Sequence, residues 1–281
     1  MDKASYRTLL RDNVVTITGG EPGASAAIIV GVHGDETCGH EALKEIWGKL
    51  DITHGKVTFL IGNPKAIERG VRMIDTNLNR MFKPDAELTD EEKSSYEYGR
   101  SREMMAYLDK ADILLDIHSF RAGQDFSFVI AEPSVNDIAQ AFPFPMISRG
   151  WDKVEPGSTE YYLNKQGKRG LCIECGLNGS KEALERAKQA IFIFLTKTGN
   201  IEAMEMPPET PKETNEVKYT YITKAGFVPV KDFANFESIS QGDIIGHDEG
   251  EQIVARQDGF ILFCQARNMP GVEAFLVGNK L

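Results

Sequence analysis

The chain is poor in cysteine, has no long apolar run and has no excess of basic residues. Of its four cysteines only Cys172 and Cys175 have Cys-x-x-Cys spacing, so we expect buried thiols rather than a disulfide or a cysteine-metal site. No uninterrupted apolar stretch approaches the roughly 20 residues of a membrane helix. The first residues also lack the pattern of a signal peptide. We therefore expect a cytoplasmic protein that does not bind a membrane.

The charge excludes a further class of partner. The 281 residues include 42 acidic and 32 basic side chains, which gives a formal net charge of −10. Nucleic-acid binding needs a basic face, so this composition argues against a nucleic-acid partner. It does not exclude an anionic substrate, because a few arginines can form a local positive pocket in an acidic protein. The sequence leaves open whether the chain forms a homo-oligomer.

Strand and helix patterns alternate between residues 13 and 200. The apolar run at 26–32 is typical of a buried parallel strand, and Thr89 opens a capping box that predicts a helix over 89–110. Other predicted strands cover 57–61, 112–117, 127–131 and 171–175, and other predicted helices cover 39–50, 159–166 and 181–197. This pattern predicts an α/β fold, with a mixed, mostly parallel sheet and helices on both faces.

The composition changes after residue 203. Residues 204–216 are rich in proline and glutamate and lack periodicity, which predicts a linker. Short strand patterns with glycine turns follow and predict a small all-β domain over 217–281. Part of it looks like the barrel-sandwich fold of lipoyl and biotinyl carriers, but the expected hairpin tip has no lysine to carry a cofactor. We thus expect an α/β domain over 1–203, a linker and a C-terminal β domain.

Three polar segments follow predicted strands. They contain His33 and Glu36, then Asp116 and His118, then Glu174. Open α/β sheets bind ligands at the carboxyl ends of their strands, so we expect these segments to lie together. Two histidines and one carboxylate can bind Zn²⁺ and leave a position for water, and a further carboxylate can act as general base. The sequence therefore predicts a metal-dependent hydrolase.

A fourth polar segment runs from Arg72 to Arg80, after the turn at Asn63-Pro64. Arginine forms bidentate pairs with carboxylates, and asparagine can orient an amide. Taken alone, this segment is better explained as a solvated loop, because surface arginines are common.

Taken together, these residues resemble the succinylglutamate desuccinylase/aspartoacylase family, a branch of the zinc carboxypeptidase-like amide hydrolases. The matching pattern, in order, is His33-x-x-Glu36, Asn63-Pro64, Arg72, Asn79-Arg80, His118 and Glu174. The resemblance covers almost the whole chain. It implies a zinc carboxypeptidase-like catalytic domain and a smaller C-terminal β domain that shapes substrate access.

The resemblance also implies a role for each matching residue. One zinc ion per chain would be held by His33, Glu36 and His118. Arg72 would polarise the scissile carbonyl, and Glu174 would be the general base and then the acid. The carboxylate of the substrate would be held by Asn79 and Arg80.

One part of the chain departs from the family pattern. Aspartoacylases carry a further tyrosine and arginine upstream of the base glutamate. Here Tyr161 is the candidate for the tyrosine, whereas the arginine is missing and either Lys165 or Arg149 is the candidate replacement. The departure puts a preference for N-acetylaspartate or N-succinylglutamate in doubt.

The leading hypothesis is a zinc-dependent amidohydrolase that removes an acyl group from a small N-acyl amino acid or related amine. Two alternatives share the same residues: a metallocarboxypeptidase that acts on peptides, and a non-catalytic zinc-binding protein of the same fold. The sequence determines neither the acyl group nor the amine half of the substrate.

Overall fold

The computed structural model describes residues 1–121, 125–208 and 210–281. The helices of these ranges are α1 Lys3–Asp12, α2 Cys38–Ile46, α3 Pro64–Arg69, α4 Asp90–Lys93, α5 Tyr96–Leu108, α6 Asn136–Ala139, α7 Trp151–Val154, α8 Thr159–Lys165 and α9 Lys181–Lys197. The strands are β1 Val14–Thr18, β2 Glu21–Val30, β3 His54–Ile61, β4 Ile113–Phe120, β5 Phe128–Ala131, β6 Met146–Arg149, β7 Arg169–Leu177, β8 Glu213–Ile222, β9 Phe227–Pro229, β10 Glu237–Ile239, β11 Ile244–Asp248, β12 Glu251–Val254, β13 Gly259–Leu262 and β14 Glu273–Lys280. None of the described helices combines the length and the hydrophobicity that crossing a membrane requires.

The larger sheet has eleven strands in the order β1-β3-β2-β4-β7-β5-β6-β8-β14-β13-β10. Strands β3, β2, β4 and β7 are parallel neighbours, and their apolar side chains are buried on both faces. One face packs in an apolar cluster with α2 and α9, and the other with α5 and α8. The predicted α/β fold, with helices on both faces of a mostly parallel sheet, is confirmed.

The predicted helix over 89–110 is two helices. The capping box at Thr89 forms as expected and begins α4, which ends at Lys93. A new helix starts at Tyr96, because the Ser95 side chain accepts a hydrogen bond from the backbone N–H of Tyr98 and caps α5. Serine competes for backbone hydrogen bonds in this way and favours helix ends over helix interiors.

The C-terminal strands continue the large sheet. Strand β8 begins at Glu213, inside the segment predicted as a linker, and pairs in parallel with β6 and antiparallel with β14. Asn215 and Val217 are buried two positions apart, although the proline and glutamate around them mask this alternation in the sequence. An apolar cluster that includes Phe128, Trp151, Val217 and Phe260 joins the two parts of the chain. Strands β9, β11 and β12 form a separate antiparallel sheet.

Candidate active site

Three neighbouring strands bring the polar segments together. His118 and Glu174 are aligned partners on β4 and β7. His33 and Glu36 lie in the loop after β2, the other neighbour of β4. Since these strands are parallel, their carboxyl ends form one edge of the sheet. The three polar segments therefore lie together at one edge of the sheet, as the sequence predicts.

Two glycines shape the loop after β2. Gly31 has a φ of +68°, a conformation that glycine adopts without steric cost. Gly34 is close to helix α3, where an added Cβ would lie 2.1 Å from the carbonyl carbon of Ala66. Gly34 therefore allows this close approach of two backbone segments.

The candidate metal ligands surround one point. His33, Glu36 and His118 are buried, and their ligand atoms lie within 4.8 Å of one another. The Nδ1 atom of His33 is 2.7 Å from Oε1 of Glu36, and the Nδ1 atom of His118 is 2.9 Å from Oε2 of the same carboxylate. Two imidazole nitrogens and a carboxylate are a donor set that zinc prefers.

The other ring nitrogen of each histidine also faces an oxygen. His33 Nε2 is 3.0 Å from Oδ1 of Asn77, and His118 Nε2 is 3.1 Å from Oδ2 of Asp116. Such oxygens fix the ring orientation and tautomer of histidines that bind metals through the opposite nitrogen. The residues present thus fit a zinc ion. The sequence analysis named Asp116 among the polar residues but not Asn77, whose contact with His33 joins residues 44 positions apart.

The two histidines of this cluster differ in their electrostatics, because burial and Arg72 lower the pKa of His33. Burial opposes a charge on His118, but Asp116 and Glu36 together raise its pKa well above the ordinary value. Burial likewise raises the pKa of Glu36, yet the neighbouring His33 and His118 hold it well below its usual range. A carboxylate that stays ionised beside two imidazoles is suited to bind a divalent cation.

Glu174 lines the same cavity and is the candidate proton carrier. Its Oε2 atom is buried and has no hydrogen-bond partner among the described residues. Burial, together with the negative charge of Glu36, raises the pKa of Glu174 to about 8. A carboxyl group whose pKa lies near neutrality can both accept and return a proton.

Arg72 reaches the candidate metal cluster. Its Nη1 atom donates a hydrogen bond of 2.8 Å to Oε1 of Glu36, and its side chain is 39% exposed. The backbone beyond Arg72 is held by a carboxylate that the sequence analysis missed. Glu97, on α5, is fully buried and accepts hydrogen bonds from the backbone N–H groups of Ile74 and Asp75 and from the Asn63 side chain. Helical periodicity gave no signal for a buried charge at position 97.

Arg80 lies in the cavity, but its charge is already paired. Its guanidinium contacts Glu155, and its Nε atom donates to Oε1 of Glu273 at 2.6 Å. Burial opposes the charge, yet these two carboxylates raise the pKa of Arg80 above its ordinary value. Burial raises the pKa of Glu155 to about 7. The residue predicted to bind a substrate carboxylate therefore holds two carboxylates of the chain itself.

The remaining predicted substrate residues occupy different places. Asn79 lines the cavity, and its Oδ1 atom accepts a hydrogen bond from the backbone of Thr159. Tyr161 is buried and does not line the cavity that the described residues form. Lys165 stacks on the Tyr161 ring, and Arg149 donates to Asn136, so the structure brings neither candidate replacement for the missing arginine to the cavity.

The C-terminal strands close one side of the cavity. Its lining from this part of the chain includes Phe263, Gln265, Arg267, Glu273 and Phe275. None of these residues was singled out in the sequence, because their approach to the site depends on the pairing of β14 with β8. The cavity has a volume of about 150 Å³.

Comparison with known proteins agrees with this geometry. The sequence model of the succinylglutamate desuccinylase/aspartoacylase catalytic domain matches residues 22–196, more than half of the chain. A probable aspartoacylase from Nostoc sp. is 26% identical over 248 residues, which cover 77% of this chain and 81% of the relative. A succinylglutamate desuccinylase from Shewanella sp. is 25% identical over 290 residues, covering 92% of this chain and 81% of the relative.

The fold is also found in solved structures. The crystal structure of succinylglutamate desuccinylase from Vibrio cholerae superposes with a TM-score of 0.78 at 19% identity. The superposition covers 95% of this chain and 85% of that one. Because the sequence model of the catalytic domain matches more than half of the chain, the chain belongs to the succinylglutamate desuccinylase/aspartoacylase family.

Proposed function

We propose that this protein is a zinc-dependent deacylase that hydrolyses the amide bond of a small N-acyl amino acid or related amine. The observation that carries the proposal is the buried His33, Glu36 and His118 cluster beside Glu174, whose Oε2 atom has no hydrogen-bond partner in the described part of the chain. One group fits a divalent metal and the other fits proton transfer. The family match supports the same class of reaction.

Each residue then has a task in hydrolysis. A zinc ion held by His33, Glu36 and His118 would supply an electrophile that polarises the amide carbonyl and acidifies water. Glu174 removes the proton from the attacking water and returns it to the nitrogen of the leaving amine. Arg72, whose side chain lines the same cavity, stabilises the negative charge that develops on the carbonyl oxygen.

The size of the cavity favours a small substrate. At about 150 Å³ it is smaller than the roughly 300–1,000 Å³ of sites that hold drug-sized ligands. Residues of the C-terminal part of the chain, Phe263 and Phe275 among them, contribute to its lining. We therefore favour a deacylase over the metallocarboxypeptidase that the sequence analysis left open.

Of the three residues predicted to contact the substrate, this proposal keeps Asn79 and Arg80. Asn79 lines the cavity, so a contact with the substrate remains our proposal. Arg80 also lines it, but a substrate carboxylate has to compete with Glu155 and Glu273 for its guanidinium. Tyr161 is left out, since it does not line the cavity that the described residues form.

The proposal is tested by incubating the zinc-loaded protein with a panel of N-acetyl, N-succinyl and N-formyl amino acids and detecting the released amine. We expect release from at least one N-acyl amino acid and none from N-terminally blocked tripeptides that keep a free C-terminal carboxylate. Release from the peptides alone would favour the carboxypeptidase. Stoichiometric zinc binding without turnover of any compound would favour a non-catalytic protein.

A further inference from the structure

Four arginines line the cavity in the described structure, and they differ in the charge of their partners. Arg72 contacts Glu36, Arg121 contacts Asp35, and Arg80 contacts Glu155 and Glu273. Arg267 is different. Among the described residues, its guanidinium donates only to neutral groups, the backbone carbonyl of Glu273 at 2.7 Å and Oε1 of Gln265 at 3.2 Å.

The position of Arg267 is fixed before any ligand arrives. Its backbone N–H donates a hydrogen bond to the carbonyl oxygen of Phe227, and the backbone N–H of Phe227 donates one to the carbonyl oxygen of Arg267, both at 2.8 Å. The bond from Nε to the Glu273 carbonyl then orients the guanidinium. A planar guanidinium that is held this way has lost much of its side-chain freedom, so binding an anion costs less entropy.

Among the described residues, no carboxylate forms an ion pair with the guanidinium of Arg267. Burial and the positive charges of Arg72 and Arg121 lower its pKa, and the carboxylate of Glu273 offsets this only in part. An anion bound at Arg267 would offset the unfavourable partial burial of its positive charge. The cavity therefore has positive charge available at Arg267, whereas the charge at Arg80 is already balanced.

We propose that Arg267, on the C-terminal part of the chain, binds a carboxylate of the substrate and determines its specificity. This inference rests on the proposed deacylase function and names the group that the site recognises. Arg267 takes the place that Lys165 and Arg149 were expected to fill. The carboxylate could belong to the amine half or to a dicarboxylic acyl half, and the experiment separates these sources.

The test uses the full-length, zinc-loaded protein and three compounds. N-acetylalanine has its carboxylate on the amine half, N-succinylalaninamide has it on the acyl half, and N-acetylalaninamide has none. Wild type is compared with Arg267→Gln, which removes the charge, and Arg267→Lys, which keeps it without the forked geometry. The matched control is Arg256→Gln, which alters an exposed arginine of the same part of the chain that stacks on Tyr219.

We expect Arg267→Gln to raise KM for the preferred carboxylate compound by roughly 10- to 100-fold, as for the loss of one charged hydrogen-bonded pair. Its kcat, and KM for N-acetylalaninamide, should stay near wild type, because the contact is the same in ground and transition states. Arg267→Lys should be intermediate and Arg256→Gln unchanged. An equal effect of Arg267→Gln on all three compounds, or none on any, overturns the inference.

A binding measurement keeps this inference separate from the proposed function. Calorimetry compares succinate with uncharged succinamide as probes of the zinc-loaded protein. If wild type hydrolyses none of the three compounds, the deacylase proposal fails, but succinate binding that is at least tenfold weaker in Arg267→Gln still supports an anion site. Equal succinate affinity in the two proteins, or no preference of wild type for succinate over succinamide, contradicts the role of Arg267.

Discussion

At the level of single residues, the candidate site combines two carboxyl groups with different properties, one suited to bind a metal and one suited to transfer a proton. A buried carboxylate between two histidines suits a metal, and a second carboxyl group beside it suits proton transfer. Glu36 and Glu174 are the same residue type, yet their pKa values shift in opposite directions. Glu36 has imidazole partners, whereas burial dominates at Glu174.

The role of Glu174 predicts a specific loss. Glu174→Gln should keep the zinc and the fold but lower kcat by about 10²- to 10⁴-fold, the usual contribution of a positioned proton-transfer group. Steady-state kinetics and zinc content are measured together. Glu182→Gln, at an exposed position in the first turn of α9, is the matched control and should behave like wild type. Near-normal turnover of Glu174→Gln would mean that another residue is the base.

At the scale of secondary structure elements, buried carboxylates hold loops in place. Glu97 fixes the segment that carries Arg72 and Arg80, and Asp248 at the end of β11 fixes the turn after β8. The carboxylates of Glu97 and Asp248 each accept hydrogen bonds from several backbone N–H groups that would otherwise be unpaired. These contacts could not be predicted from sequence, because acidic residues in helices and turns are usually solvated.

Removing the Glu97 carboxylate should destabilise the fold. Glu97→Ala leaves buried N–H groups of the segment after Arg72 without an acceptor, so we expect the free energy of unfolding to fall by roughly 3 kcal/mol. Urea denaturation of wild type and Glu97→Ala measures this change in the free energy of unfolding. Glu103→Ala removes an exposed carboxylate from the same helix and should cost about 0.5 kcal/mol or less. Equal losses in the two variants would show that the Glu97 contacts contribute little.

Asp248 should give the protein an acid-sensitive contribution to stability. Burial opposes its charge, but the N–H groups of Gly226, Lys224 and Ala225 lower its pKa from 3.8 to about 2. A carboxyl group with a lowered pKa in the folded state stabilises the fold above its unfolded pKa, and this contribution is lost as the pH falls toward 2.

The measurement is urea denaturation of wild type and Asp248→Asn at pH 6 and pH 3. We expect the variant to be less stable at pH 6 and the difference from wild type to narrow at pH 3. Asp232→Asn, at an exposed position of the same part of the chain, is the control. A difference that is the same at both pH values would contradict the assignment.

At the scale of the whole molecule, the C-terminal strands are part of the catalytic architecture. They extend the large sheet through β8, share an apolar cluster with it and supply one wall of the cavity. The contact of Arg80 with Glu273 joins residues 193 positions apart. Substrate selectivity can therefore depend on residues far from the matching family motif.

The sequence predicted the parts of this architecture that are local. Apolar runs marked the central strands, and the polar residues that follow them located His33, His118 and Glu174 correctly at one edge of the sheet. Contacts across the chain could not be predicted, because no periodicity relates Arg80 to Glu273 or places Arg267 in the cavity. The early start of β8 was also missed, since charged residues obscured its alternation.

The central claim, metal-dependent deacylation at this cluster, is tested most directly by a zinc titration. Chelator-stripped protein is mixed with increasing zinc, and amine release from the best N-acyl amino acid of the panel is measured. We expect the rate to rise with zinc and to reach a plateau near one ion per chain, and we expect His118→Ala to abolish the rise. A rate that is independent of zinc, or an unchanged titration in His118→Ala, would contradict it.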